Sequence, residues 1–388
     1  MTPQSQQDLS EWPISCMLDE LHFRVLRQIV HQMESRGLWV RREHRTEILD
    51  ARHAYGAHLM QETLLPVLGD DYAELVSERV FGLTDYKFGL RAPRSLSFGY
   101  DMGTGIHRLL VSDGFTRSET GKLCALFNFG ITIFDAVCDR MADTADILHR
   151  GFDERTLQTL IREPQGASVL EASIPKLRSV EVRVVLKVIC AFFSRLHPAV
   201  RVPHTSNAWR QFEDLLLGAY RAQLHSSDVQ SFNSSTLASS LAASERKSTL
   251  PFQIMFQVAL ICEPSVSHRD ELVRMIQSLG SVFWLMDDLV DLTKDLEVGS
   301  ANGILLRLGD LATRRYSVIN AELLMNLLEG DYILTAVTDM LDGLCELMGY
   351  IEAIDCDPRS KKDFQNLILV YLCNWLPKRF SRDRQRKI

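Results

Sequence analysis

Apolar residues recur at three- and four-residue spacing along most of the chain. Leu21, Val25, Ile29 and Met33 make one stripe, Val185, Val188, Phe192 and Leu196 a second, and Leu272, Met275, Leu279 and Val282 a third. This is the period of a helix that buries one face, and the strict alternation of a half-buried strand is missing. Asp113-Gly114 and Asp342-Gly343 lie beside helical patterns, so neither reads as a hairpin turn. Interruptions fall near 91–103, 162–166, 197–206, 226–235, 263–267 and 299–303, and no internal repeat separates them. The pattern predicts an all-α chain, a single large helical bundle. Residues 1–60 are set apart as a helical N-terminal extension, and 61–388 form the main α domain with a basic C-terminal tail, KRFSRDRQRKI.

Composition narrows the function classes. The chain has 388 residues with only 21 Gly and 12 Pro, which leaves long uninterrupted segments for helices. Hydrophobic residues at 46% and charged residues at 24% are ordinary for a globular protein and exclude disorder and small disulfide scaffolds. A net charge of -7, spread along the chain, argues against nucleic acid as a partner. No run approaches the roughly 18 uninterrupted apolar residues of a membrane span. The opening MTPQSQQDLSEWPIS has neither the basic nor the apolar region of a secretory leader. The eight cysteines are scattered without a C-x-x-C pair, so reduced thiols in a cytoplasmic protein are expected rather than a thiolate metal site.

Two acidic segments carry the chemistry. The first runs Phe134-Asp135-Ala136-Val137-Cys138-Asp139-Arg140, and the second runs from Phe283-Trp284 through Asp287, Asp288 and Asp291 to Asp295. Residues four apart share a helix face, so Asp135 projects with Asp139, and Asp143 extends that row. Asp287, Asp291 and Asp295 form a stripe two turns long, while Asp288 points about 100° away. Stacked like charges cost helix stability. A cation would neutralise them, and carboxylate oxygens without His or Cys suit Mg²⁺, whose shell is commonly completed by water and phosphate oxygens. Opposite charge comes from Glu245-Arg246-Lys247-Ser248-Thr249, with Lys247 placed 40 residues before Asp287. Each of these features alone also occurs as solvated surface; their combination points to a diphosphate site.

At these residues the chain resembles the class I isoprenoid synthase superfamily: trans-prenyl diphosphate synthases, squalene and phytoene synthases, and class I terpene cyclases. The order of acidic motif, Lys-Ser-Thr and second acidic motif matches, over roughly residues 90–310. The resemblance implies a bundle of long helices around a deep apolar cavity, with about three Mg²⁺ ions held by Asp135, Asp139, Asp287, Asp291 and Asp295. It also implies a prenyl diphosphate substrate, with Arg246 and Lys247 stabilising the departing diphosphate. Homodimers are common in the superfamily, and the sequence leaves the oligomeric state open.

Departures from the chain-elongating pattern are informative. Position 136 is Ala, only Arg140 follows the first motif, and Arg91 and Arg94 are the nearest counterparts of an upstream basic segment. Phe283-Trp284 precedes the second motif where Phe-Gln is usual, and V-G-S-A-N-G after it lacks a lysine. The site for a second, isopentenyl substrate therefore reads as lost. The i, i+4, i+8 spacing of Asp287, Asp291 and Asp295 resembles a cyclase, with Arg246 as its diphosphate-sensing arginine. The leading expectation is a Mg²⁺-dependent terpene synthase acting on a C15 or C20 prenyl diphosphate. The alternatives are a prenyltransferase that adds isopentenyl diphosphate, head-to-head coupling, or a helical partner subunit with a degraded site. Trp284 is the expected cation–π partner of a carbocation, or else a packed core residue. Phe127, Gly130 and Ile131, one to two turns before Asp135, are expected to set cavity depth, although Gly130 equally fits close helix packing. Gln223 is the remaining expected substrate contact.

Overall fold

The computed structural model describes residues 12–76, 88–110, 114–140, 148–149, 151–227, 237–263, 269–298, 302–307 and 320–376. Asp143 and the basic tail lie outside the described residues, as do the side chains of Asp139 and Arg140. Among the described residues every regular element is helical. The long helices are α1 Ile14–Ser35, α2 Arg42–Leu59, α3 Phe88–Leu110, α4 Gly114–Arg140, α5 Val180–Ala199, α6 Asn207–Ser227, α7 Leu237–Cys262, α8 Arg269–Val298, α9 Tyr332–Ala353 and α10 Pro358–Trp375.

The stripes read from the sequence are the buried faces. Leu21, Val25, Ile29 and Met33 of α1, Val185, Val188, Phe192 and Leu196 of α5, and Leu272, Met275, Leu279 and Val282 of α8 are all buried. Removing a side chain of this size from water contributes roughly 1.5–3 kcal/mol. Helix starts are set locally. The Ser179 hydroxyl accepts from the Val182 N–H at the head of α5, and the Asp357 carboxylate accepts from the Ser360 N–H at the head of α10, where Pro358 follows. Each cap satisfies a donor that has no partner within the helix.

Helix α4 lies at the centre, against α3, α5 and α7, while α7 also packs on α6 and α8, and α8 on α9. Part of α4, Ser118–Cys138, is long and apolar enough by length and composition to cross a membrane, yet 72% of that window is buried by the surrounding helices. A helix that is apolar nearly all round belongs in the middle of a bundle. The segment 1–60 supplies the whole of α1 and α2: α1 packs on α8 and α9, and α2 on α3 and α10. The α7–α8 contact is close because Gly280 has no side chain. A Cβ there would lie 2.9 Å from the Thr249 Cα. That approach brings the Lys247 segment of α7 alongside the acidic helix α8.

Candidate functional site

An apolar pocket opens between α4, α5, α6 and α7. Helix α4 lines it with Phe127, Gly130, Ile131 and Phe134, which recur at helical spacing on one face. Across from them stand Val188 and Phe192 of α5, and the Phe127 and Phe192 rings meet at 5.6 Å between centroids. Gly130 does not serve a close helix contact: a Cβ there would meet Val188 Cγ1 at 3.5 Å, an ordinary separation. Tyr220 lines the pocket from α6 and donates its hydroxyl to the Phe152 carbonyl, 2.8 Å away, and burial pushes that phenol up to about 12.

Two polar side chains enter the same pocket, Gln223 from α6 and Lys247 from α7. Both donate to one oxygen of Asp135: Gln223 Nε2 lies 2.8 Å and Lys247 Nζ 2.6 Å from Oδ1. Asp135 follows directly on the pocket residue Phe134, so the carboxylate marks the polar end of an apolar space. Pro251, one turn after Lys247, also lines the pocket and donates no N–H to the helix ladder there.

On α8 the carboxylates divide by direction. Asp287 is exposed, and Asp291 is largely buried with Lys294 Nζ 3.3 Å from its Oδ2. Burial raises the Asp295 carboxyl to about 6, and the nearby Asp287 charge pushes the same way. Asn302, Lys294 and Lys247 act against that rise. Lys247 therefore touches Asp135 and lies within the electrostatic reach of Asp295. The two acidic segments and the lysine segment, far apart in the chain, come together at one place.

Asp288, the off-stripe member, is buried and has a different task. Its Oδ2 accepts from the Gly303 N–H at 2.8 Å. Asn302 Nδ2 donates to the Asp288 carbonyl at 2.8 Å and to Asp295 Oδ2 at 3.0 Å, while Asn302 Oδ1 accepts from the Ile304 N–H at 3.0 Å. Gly303 sits flush on this surface. A Cβ at that position would come within 2.5 Å of the Trp284 indole and 2.6 Å of Asp288 Oδ2. The motifs of the sequence single out neither Asn302 nor Gly303. The signal they carry is the Asn-Gly pair itself, a turn dipeptide directly after an acidic helix.

Two expected site residues stand elsewhere. Trp284 is buried beneath Gly303, with its indole N–H 3.4 Å from Ser244 Oγ, and is not among the residues lining the pocket. Its packed reading accounts for that position. Arg246 is exposed, its guanidinium beside Gly218 of α6, and it too is absent from the pocket lining. Adjacent helical residues diverge by about 100°, so only one of Arg246 and Lys247 can point inward. Among the described residues no three His, Cys, Asp or Glu side chains converge into a ready-made cation cage. The donor chemistry nevertheless suits Mg²⁺: Asp135, Asp287, Asp291 and Asp295 offer only carboxylate oxygens, the hard ligands that this ion takes.

No protein-family model matches the chain, and comparison with curated proteins finds no match. Solved structures do match. Geranylgeranyl pyrophosphate synthetase from Pyrococcus horikoshii aligns with a TM-score of 0.54 and 12% identity, over 84% of this chain and 98% of that one. Heptaprenyl diphosphate synthase from Staphylococcus aureus aligns with a TM-score of 0.47 and 13% identity, over 82% of this chain and 98% of that one. With the first of these likenesses added to the helical architecture, the chain has the all-α fold of that geranylgeranyl pyrophosphate synthetase.

Proposed function

We propose that this protein is an isoprenoid synthase-type enzyme that ionises a prenyl diphosphate with the help of Mg²⁺. One observation carries the reading. Lys247 lies against Asp135 at the polar end of an apolar pocket, and its charge is felt by Asp295 of the second acidic stripe. An apolar tail with a doubly charged head has the polarity of that space.

In this reading the carboxylates of Asp135, Asp287, Asp291 and Asp295 hold the metal, and Asp288 does not. Bound there, Mg²⁺ would draw charge from the diphosphate as the allylic C–O bond breaks. Lys247 turns from Asp135 to a phosphate oxygen and supports the negative charge that grows on the leaving group. Gln223 holds the Asp135 oxygen that Lys247 releases. Phe127, Ile131, Phe134 and Phe192 exclude water from the cation, and the aromatic π faces among them stabilise it by about 2 kcal/mol or more where desolvated.

The fold likeness to a synthase that makes geranylgeranyl diphosphate favours prenyl transfer to a second substrate. A specific observation keeps single-substrate cyclisation as a second reading. Arg91 and Arg94 on α3, the nearest counterparts of the basic segment that would grip isopentenyl diphosphate, match it poorly, and no Arg pair follows Asp139. Incubation with Mg²⁺ and geranyl, farnesyl or geranylgeranyl diphosphate, with and without isopentenyl diphosphate, separates the two. A longer linear product formed only with isopentenyl diphosphate establishes transfer; a cyclic product from one substrate establishes cyclisation. Both reactions should vanish in Asp287→Ala. Diphosphate release from no substrate would overturn the enzyme reading.

A further inference from the structure

The sequence run Asp287-Asp288-Leu289-Val290-Asp291 invites the view that both aspartates of the pair bind metal. The structure separates them. Asp288 is 8% exposed and spends one carboxylate oxygen on the backbone N–H of Gly303. Asn302, fully buried, joins the same contact from the other side: one amide N–H₂ spans the Asp288 carbonyl and Asp295 Oδ2. Its own oxygen takes the Ile304 N–H, which fixes the amide's orientation. Every polar atom of this Asn side chain is thus used, and one of its bonds ends on Asp295, a carboxylate of the Asp287, Asp291 and Asp295 stripe.

We propose that Asn302 is a positioning residue for the metal-binding face, and that Asp288 is its anchor rather than a metal ligand. The Asn302-Gly303 clamp holds Asp295 by its Oδ2, which restricts the rotation of this carboxylate next to the Asp287 and Asp291 stripe. It also sets the rotation of α8 at that turn, because Gly303 lies flat on Trp284 and admits no side chain. A carboxylate left to rotate beside the Asp287 charge would swing away from it; the amide bond opposes that motion. Outer partners of metal ligands commonly change affinity by about 10–100-fold when removed. This inference rests on the proposed metal role of the stripe.

The test is a titration of the full-length protein with Mn²⁺ in place of Mg²⁺, in the presence of inorganic diphosphate, read by electron paramagnetic resonance rather than by turnover. Asn302→Ala should bind Mn²⁺ about 10–100-fold more weakly than the wild type. Asp288→Asn keeps an oxygen acceptor for the Gly303 N–H and should stay within about threefold of the wild type, while Asp287→Asn should fall well below it. Urea midpoints measured alongside distinguish lost positioning from a merely loosened fold, which would lower the midpoint and leave Mn²⁺ affinity in place. Wild-type affinity in folded Asn302→Ala overturns the proposal, as does a loss in Asp288→Asn as large as in Asp287→Asn. If Asn302→Ala does not fold, the Asp288→Asn comparison still decides. A wild type that binds no Mn²⁺ would instead remove the metal reading itself, and this inference with it.

Discussion

The two acidic helices meet at one site but are wired differently. On α4, Asp135 is held by the tips of two long side chains, Lys247 and Gln223, that reach over from α7 and α6. On α8, Asp288 and Asp295 are held by a backbone N–H and by an asparagine whose oxygen is pinned to the next turn. Flexible partners can be exchanged when a charged ligand arrives, since a lysine needs only a few rotamer changes to move from carboxylate to phosphate. Backbone partners cannot follow. In the proposed reading one face of the site would release its contacts and the other keep them, which would place the ordering cost of binding on α4 and preorganisation on α8.

Removing the exchangeable face should give the largest effect. Asp135→Ala is expected to lower Mg²⁺-dependent diphosphate release by about 100-fold or more, the equivalent of a few kcal/mol of lost transition-state stabilisation. A mild loss would mean that the two helices do not form one site. Next comes the fixed face. Gly303→Val forces a side chain into Trp284 and Asp288 and should cost about 1–3 kcal/mol by urea unfolding. Gly130→Ala, facing the pocket in mid-helix, should unfold no more easily than the wild type and up to about 1 kcal/mol less easily, since its Cβ meets only an ordinary contact with Val188 and alanine favours the helix.

A smaller effect is expected from Lys247→Gln. The Lys247–Asp135 pair has side-chain exposures of 28% and 36%. Its loss should therefore change stability by no more than about 1 kcal/mol. Diphosphate affinity, measured calorimetrically with Mg²⁺, should fall by about tenfold, which is about 1.4 kcal/mol. Equal losses of stability and affinity would break the contrast between exchangeable and fixed partners.

The smallest effect sharpens the comparison at a carboxylate outside the site. Asp101 is buried, accepts from the Tyr371 hydroxyl at 2.7 Å and pairs with Arg52 at 3.0 Å. Burial outweighs these partners and raises the carboxyl to about 6. Below about pH 4 the acid is protonated in both folded and unfolded chains, and the raised value costs nothing. Between about pH 4 and about 6 the unfolded chain gives up this proton while the folded chain still holds it, so stability declines until the folded acid ionises too. The Tm of the wild type relative to Asp101→Asn should drift downward by a few degrees between these values. A flat difference would show that Arg52 and Tyr371 fully offset burial.

Much of the fold is legible in the sequence, because helical period is a local property. Hydrogen bonds four residues apart fix the twist, and the twist decides which residues share a face. The stripes of α1, α5 and α8 are readable for that reason, as are Phe127, Gly130 and Ile131 on one face of α4 and the shared direction of Asp287, Asp291 and Asp295. So is the opposition of a lysine segment to two acidic segments. The choice between Arg246 and Lys247 is not readable, since either can point inward until the rotation of α7 against α6 and α8 is fixed. Trp284 shares a chain neighbourhood with the aspartates and yet packs under a glycine that follows them by more than two turns.

Local pattern along the chain is therefore enough to place the helices, their buried faces and the chemistry each carries. Which cation reaches Asp135, and which aspartate is given over to Asn302 and Gly303, follows from how the helices pack. Those contacts join residues 14 to 112 positions apart. Contacts at that range depend on how rigid helices dock, and docking is set by the volumes of many ordinary apolar side chains rather than by any local pattern.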